Sequence, residues 1–282
     1  MSLVQLHSWN DPPKRLIETL KALQDRNEDK LLELLEVFMR LKSRRKALIS
    51  QKTLINHRLA VRDFLAWAWP PGASGSLIEI RKATSDDIDR YVADLQAHGG
   101  HLANDRVPLQ PGTVAAYVAG VRAFYRALEW AGAAKVSNDI QAPRDPTPAD
   151  ERRPALPLPL YKKLLEHLNG HESAAIRDRL AIRLMAEAGL RISEVIGLTT
   201  EDFLMGERLL LVRRGKGGKK RSVPLPKTVI ADLEAWLRIR TGLAAPGETR
   251  VLINMGGKKA DGKGMSASML RKTLAKHYSA LG

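Results

Sequence analysis

Two cations in this chain are spaced and framed as if to hold a phosphate. Arg191 lies in Ala188-Gly-Leu-Arg-Ile-Ser-Glu-Val-Ile-Gly-Leu198. Its planar fork suits bidentate binding of a phosphate or carboxylate. Lys216 lies further on, in Arg213-Arg-Gly-Lys-Gly-Gly-Lys-Lys-Arg-Ser-Val-Pro-Leu225, where glycines leave its ammonium free to reach a bound anion. An arginine on a rigid turn and a lysine on a mobile basic hairpin make a two-cation phosphate site.

The elements that must position these groups are legible around them. Leu180 and Leu184, with Ala181, Met185 and Ala188, keep helical spacing. Gly189 comes next, where a left-handed cap is easiest for glycine. Ile192, Val195, Ile196 and Leu198 should anchor a second helix, placing Arg191 on the turn between. Leu209–Val212 reads as a buried strand and Ser222–Leu225 as its partner, joined by a turn at Gly215, Gly217 and Gly218. Residues 206–227 hold eight Lys or Arg against one acid, Glu207. Either motif alone would read as a capping arginine or a solvated tip. At this spacing in one basic chain they read together.

Three stretches carry a resemblance to a known family: Gly189-Leu-Arg-Ile-Ser-Glu194, Leu198-Thr-x-Glu-Asp202, and Gly215-Lys-Gly-x-Lys-x-Arg-x-Val-Pro-Leu225. In this order they resemble the catalytic domain of the tyrosine recombinases, the phage-integrase and Xer group. The resemblance implies that Arg191 holds a scissile phosphate, that Lys216 assists the 5′-oxygen leaving group, and that Glu194 buttresses the site. It implies site-specific strand cleavage and rejoining through a 3′-phosphotyrosyl link, serving DNA integration or chromosome-dimer resolution, without metal or nucleotide cofactor. The partners implied are double-stranded DNA and a homo- or hetero-tetramer on it. A DNA-binding accessory protein without chemistry is the alternative.

Composition supports a polyanionic partner. The 282 residues carry a formal net charge of +15. Residues 1–150 hold 21 Lys/Arg and 18 Asp/Glu, whereas residues 151–282 hold 25 and 13, so most excess charge lies with Arg191. Candidate DNA contacts there are Arg213, Arg214, Lys219, Lys220 and Arg221. Hydrophobic residues at 44% and charged residues at 27% are globular values, and the length suggests two cores. No cysteine is present, which rules out disulfides and thiolate metal sites and fits the cytoplasm. No apolar run approaches a membrane span, and Met1-Ser-Leu-Val-Gln-Leu-His-Ser has no signal-peptide core.

The expected architecture is mainly α in two domains: a helical-bundle core-binding domain, then an α+β domain with a small antiparallel sheet. Helices are expected from Lys14 towards Gln24, around Leu31–Leu41, from Thr53 to before Pro70-Pro71, after the Thr84-Ser-Asp-Asp87 capping box, and over 112–131. They resemble the family's DNA clamp over residues 1–140, making Arg44, Arg45, Lys46 and Lys52 phosphate contacts. Trp67, Trp69 and Trp130 fall at core positions rather than base-stacking ones. Six prolines within residues 143–159 mark the linker, bounded at 141–157. The second domain then runs over 158–282, with a helix through Leu164 and Leu168, a short strand at Arg250–Asn254 and a last helix from Ser266 to Leu281.

Rival motifs are weaker. Gly257–Gly264 nearly spells a phosphate-binding loop, but Gly264 stands where Ser or Thr is needed. His167 and His171 are interrupted by Gly170 and lack a following Glu, and His98 and His101 flank a Gly-Gly turn; surface histidines fit both pairs better than metal ligands. The family's His-x-x-Arg box and nucleophile are not evident. Ser268-Met-Leu-Arg271 only superficially resembles that box, and Tyr278 fits the scaffold helix that precedes it. The expectation is a chain shortened from an active recombinase, able to bind DNA but not to cleave it.

Overall fold

The computed structural model describes residues 9–43, 46–72, 75–135, 140–148, 151, 155–213, 220–255 and 261–281. These fall into two compact units, Met1–Pro148 and Ala149–Gly282. Arg44, Arg45, Arg214, Lys216, Lys219 and the first half of the Gly257–Gly264 motif lie outside the described residues.

The described residues of the first unit form the helices α1 (Pro12–Gln24), α2 (Glu28–Lys42), α3 (Gln51–Ala68), α4 (Ser85–Ala97) and α5 (Pro111–Trp130). Their starts reflect local chemistry. Asn27 accepts from Lys30 N to open α2, Ser50 accepts from Thr53 N to open α3, and Thr84 and Asp87 cap each other's backbone to open α4. Proline at the first turn starts α1 and α5, where its missing N–H has no intrahelical partner to lose.

Helices α3 and α5 cross most closely where Gly120 meets Ala60. A Cβ built on Gly120 would stand 2.5 Å from Ala60 Cβ, so only glycine admits this approach. Around the crossing, Phe64, Trp67, Tyr91 and Tyr125 form an aromatic cluster with Phe64–Tyr91 centroids 5.2 Å apart. Burial against Asp63 raises the Tyr91 hydroxyl far above its ordinary value, and Tyr91 donates to Asp63 Oδ1 at 2.9 Å. Trp67 is buried, while Trp69 and Trp130 pack partly buried against the same core. The Arg15 guanidinium lies 3.8 Å from the Trp130 ring centroid.

Past residue 140, the expected end of the first domain, the chain keeps contact with the first core. Ile140 is buried in the first core, Ala142 packs on it, and Arg122 Nε donates to the Ile140 carbonyl. The proline-rich segment therefore belongs to the first unit as far as Pro148.

The second unit comprises α6 (Leu158–His167), α7 (Ser173–Ala186), the single-turn α8 (Ile192–Val195), α9 (Lys227–Arg240) and α10 (Ala267–Ser279). They surround an antiparallel sheet of β1 (Phe203–Leu204), β2 (Leu209–Val212) and β3 (Arg221–Pro224), in the order β1-β2-β3. Leu210 pairs Val223, and Val212 pairs Arg221, the last pair before the connecting loop. Leu180, Leu184, Leu210, Val229, Leu233, Trp236 and Leu270 fill the core.

Residues 250–254 do not form the expected strand. Val251, Leu252 and Ile253 are fully buried, but their partners are single loop positions: Val251 N donates to Leu198 O and Leu252 O accepts from Met265 N. Only isolated bridges, Thr199 with Arg250 and Ile253 with Gly264, result.

Helix α7 is held by charge as well as by packing. Arg179 Nε donates to Asp232 Oδ1 of α9 at 2.9 Å, and Arg183 forms an ion pair with the same carboxylate at 3.1 Å. The buried Asp178 accepts from Arg177 and pairs with His277 of α10 at 2.9 Å, while Arg177 Nη1 donates to the Ile253 carbonyl. Among the described residues, no helix is long and apolar enough to cross a membrane.

Candidate active site

Arg191 owes its place to the end of α7. Gly189 takes a φ of 66°, and Leu190 N donates back to Leu184 O, closing the turn. Leu190 is buried, so the chain is pinned one residue before Arg191. Glu187 adds a second anchor: it accepts from Tyr161 of α6 at 2.6 Å and from Thr228 of α9. Arg191 is then the N-cap of α8, shorter than the helix expected from its apolar spacing.

Glu194 is the hub of the cluster around Arg191. Its side chain is only 2% exposed, and both oxygens are fully engaged. Oε2 accepts from Arg191 N at 2.8 Å and Arg221 Nη2 at 2.9 Å. Oε1 accepts from Arg221 Nη1 at 2.8 Å and, at a longer 3.3 Å, from Arg191 Nη1. The fork from Arg221, then the Arg191 backbone donor and the two positive charges, hold the Glu194 carboxyl down at about 2. Arg221 is pushed the opposite way by the same carboxylate. The Arg191 side chain remains 58% exposed, so most of its five-donor surface faces outward.

A second acid–arginine pair braces the other strand of the hairpin. Asp202, buried, accepts from Thr199 N at 2.8 Å and Thr199 Oγ1 at 2.9 Å, and from Arg213 Nε. Between α8 and this pair lies a cleft of about 470 Å³, lined by Ser193, Gly197, Thr199, Asp202, Arg213 and Arg250. The arrangement can present a fixed arginine fork to an anion on a framework whose own acids are already neutralised.

The structure thus brings Arg191, Glu194 and Arg221 into one cluster, and Arg213 into a second. Sequence reasoning paired Arg221 and Arg213 with DNA; it missed that the two buried acids of the motifs need cationic partners. A glutamate on an apolar turn followed by an acidic pair was the available signal, since carboxylates are rarely buried unpaired. Lys220 is exposed beside Arg221. In the first unit Lys46, with φ of 45°, starts the single turn before α3, and Lys52 lies in the first turn of α3; both are exposed.

The histidines have structural neighbours. His167 faces His277 with ring centroids 5.5 Å apart, and His98 and His101 both contact Asp94, which also pairs with Arg106. Burial, and after it the nearby Arg106 charge, keeps the His101 imidazole below its ordinary value. Tyr278 lies on α10 with 53% exposure.

Comparison with known proteins agrees with this geometry. Residues 159–282 match the model of the phage integrase family. The chain is 30% identical over 210 residues to tyrosine recombinase XerC 1 of Ralstonia nicotianae, covering 70% of this chain and 60% of that protein. It is 29% identical over 158 residues to tyrosine recombinase XerA of Pyrococcus furiosus, covering 56% of this chain and 49% of the relative. The chain therefore spans about half to 60% of the length of these relatives. A lambda integrase tetramer bound to a Holliday junction shares the fold, with a TM-score of 0.61 at 18% identity over 93% of this chain and 64% of that one. The Tn1549 transposon integrase in complex with circular intermediate DNA gives 0.59 at 19% identity, over 89% of this chain and 79% of the other. The motif that fixes Arg191 and Glu194 sits inside the matched segment, so residues 159–282 form a phage integrase family domain.

Proposed function

We propose that this chain acts in site-specific DNA recombination, with Arg191 as ligand of the scissile phosphate. The observation that carries the reading is the Arg191 fork, anchored at its backbone by Glu194 yet more than half exposed. On this reading a tyrosine oxygen attacks phosphorus and the bond to the 5′-oxygen breaks. That oxygen takes its proton from Lys216, and the ester energy is kept in the 3′-phosphotyrosyl link until the strand is rejoined. The partner is duplex DNA, on which the chain would assemble as a tetramer, the state of the lambda integrase on its Holliday junction.

Several features support the substrate class. The excess of 25 Lys/Arg over 13 Asp/Glu in residues 151–282 favours a polyanion. Lys46, Lys52 and Lys220 are exposed and available to backbone phosphates. Within these 282 residues Tyr278 is not assigned the nucleophile's role. It sits near the end of α10, a helix that docks through Leu270, Leu274 and His277. We propose that these residues alone bind DNA without cleaving it.

The test uses the full-length gene product and total DNA from its source. Arg191→Ala should lower detergent-resistant protein–DNA adducts by a factor of hundreds, since losing one donor to transition-state charge costs on the order of 3–4 kcal/mol. Duplex affinity should fall only a few-fold, because one phosphate contact among many contributes little to ground-state binding. Adducts formed at the unmutated rate would replace this reading with that of a DNA-binding accessory protein.

A further inference from the structure

Glu194 has two cationic claimants and holds them unequally. A carboxylate offers about four acceptor positions. Arg221 occupies two with a parallel fork at 2.8 and 2.9 Å, and the Arg191 backbone N–H occupies a third at 2.8 Å. Only one position remains for the Arg191 guanidinium, and its contact there is the longest of the set, 3.3 Å. The better geometry belongs to the arginine from β3, 27 residues away, rather than to the one three residues away on the same turn.

We propose that Arg221 is a positioning residue for Arg191: by saturating Glu194 it keeps the Arg191 guanidinium from closing down on its own neighbour. Without Arg221, Glu194 would be a nearly inaccessible carboxylate with two vacant positions. The nearest cation able to fill them is Arg191, whose backbone is already fixed to the same oxygen pair. An arginine held in a bidentate pair with a buried carboxylate has few donors and little net charge left for a phosphate. Arg221 opens β3 and pairs with Val212 where the strands meet the connecting loop, so the strand that leads out of that loop would set whether Arg191 is presented or withheld. This inference rests on the reading of Arg191 as a phosphate ligand.

The experiment tracks the Arg191 side-chain Nε–H resonance in the ¹⁵N-labelled full chain, assigned by its loss in Arg191→Lys, during titration with inorganic phosphate. In the unmutated chain the signal should move with phosphate. In Arg221→Met its apparent affinity should fall at least about tenfold, the scale of one charge-assisted hydrogen bond. Arg221→Met combined with Glu194→Gln should return to within about threefold of the unmutated chain, because Gln keeps an acceptor for Arg191 N while removing the competing charge. A role in stability alone makes the double variant no better than the single one, and that result overturns the proposal. Should Arg221→Met fail to fold, Arg221→Lys carries the test: one donor in place of a fork should weaken phosphate binding measurably, and an unchanged titration overturns the inference. If Arg191 responds equally in the unmutated chain and in Arg221→Met, the positioning role alone falls. If Arg191 does not respond in the unmutated chain, the phosphate-ligand reading falls first.

Discussion

At the scale of single residues, Glu194 is the group whose ionisation the site depends on. Its carboxyl titrates at about 2 in the folded chain against an ordinary value of 4.5, chiefly through the Arg221 fork. A depressed carboxylate contributes stability that is fully present above the unfolded value and is lost as pH falls through the folded one. The folded chain should therefore lose stability between about pH 4.5 and 2, and Glu194→Gln should flatten that part of the profile. Thermal midpoints measured across this window check it. A profile as steep in Glu194→Gln as in the unmutated chain would show that other carboxylates carry the effect. The family resemblance singles out Glu194 as a supporting acid, but nothing local marks the depth of its engagement. Its second partner comes from a hairpin strand 27 residues on, and no local pattern announces which of eight nearby cations it takes.

At the scale of elements, close approach and loop chemistry decide most outcomes. Gly120→Ala would drive a methyl into Ala60 at the α3–α5 crossing and should cost about 1–3 kcal/mol, the usual range for overpacking. Gly112→Ala, in the open first turn of α5, should instead stabilise by up to about 1 kcal/mol through helix propensity. Denaturant midpoints of opposite sign for these two glycine changes check the helix crossing. The Thr84 capping box, the α5 helix and the left-handed Gly189 are readable because each is written within a few residues. Helix α9 is not among the expected elements, although it starts directly after Pro226, its N-cap. Residues 250–254 mislead for the opposite reason. Their apolar run matches a buried strand, and only the tertiary neighbours reveal that single bridges stand where the short strand was expected.

At the scale of the whole molecule, two separate cores should appear as two separable pieces. Limited proteolysis should cut first between Pro148 and Pro157, and both products should retain cooperative unfolding. The later piece carries most of the excess charge, so its affinity for duplex DNA should fall more steeply with salt than that of the earlier piece. First cleavage inside α5, or equal salt slopes, would contradict this division. The two-domain plan is visible in the sequence as a cluster of prolines. The position of the boundary is not, because Ile140 and Ala142 are apolar enough to join the first core despite the prolines that come after them.

Helix α7 also sets a timetable for the second unit during synthesis. Its charged side chains find their partners 53, 76 and 99 residues later, at Asp232, Ile253 and His277. Until those positions leave the ribosome, the charged side chains of α7 have only local partners, Arg177 with Asp178 and Arg183 with Glu187. Folding of this half is thus deferred almost to α10. The first unit, whose Asp63 meets its donors within 39 residues, can be complete and out of the way long before.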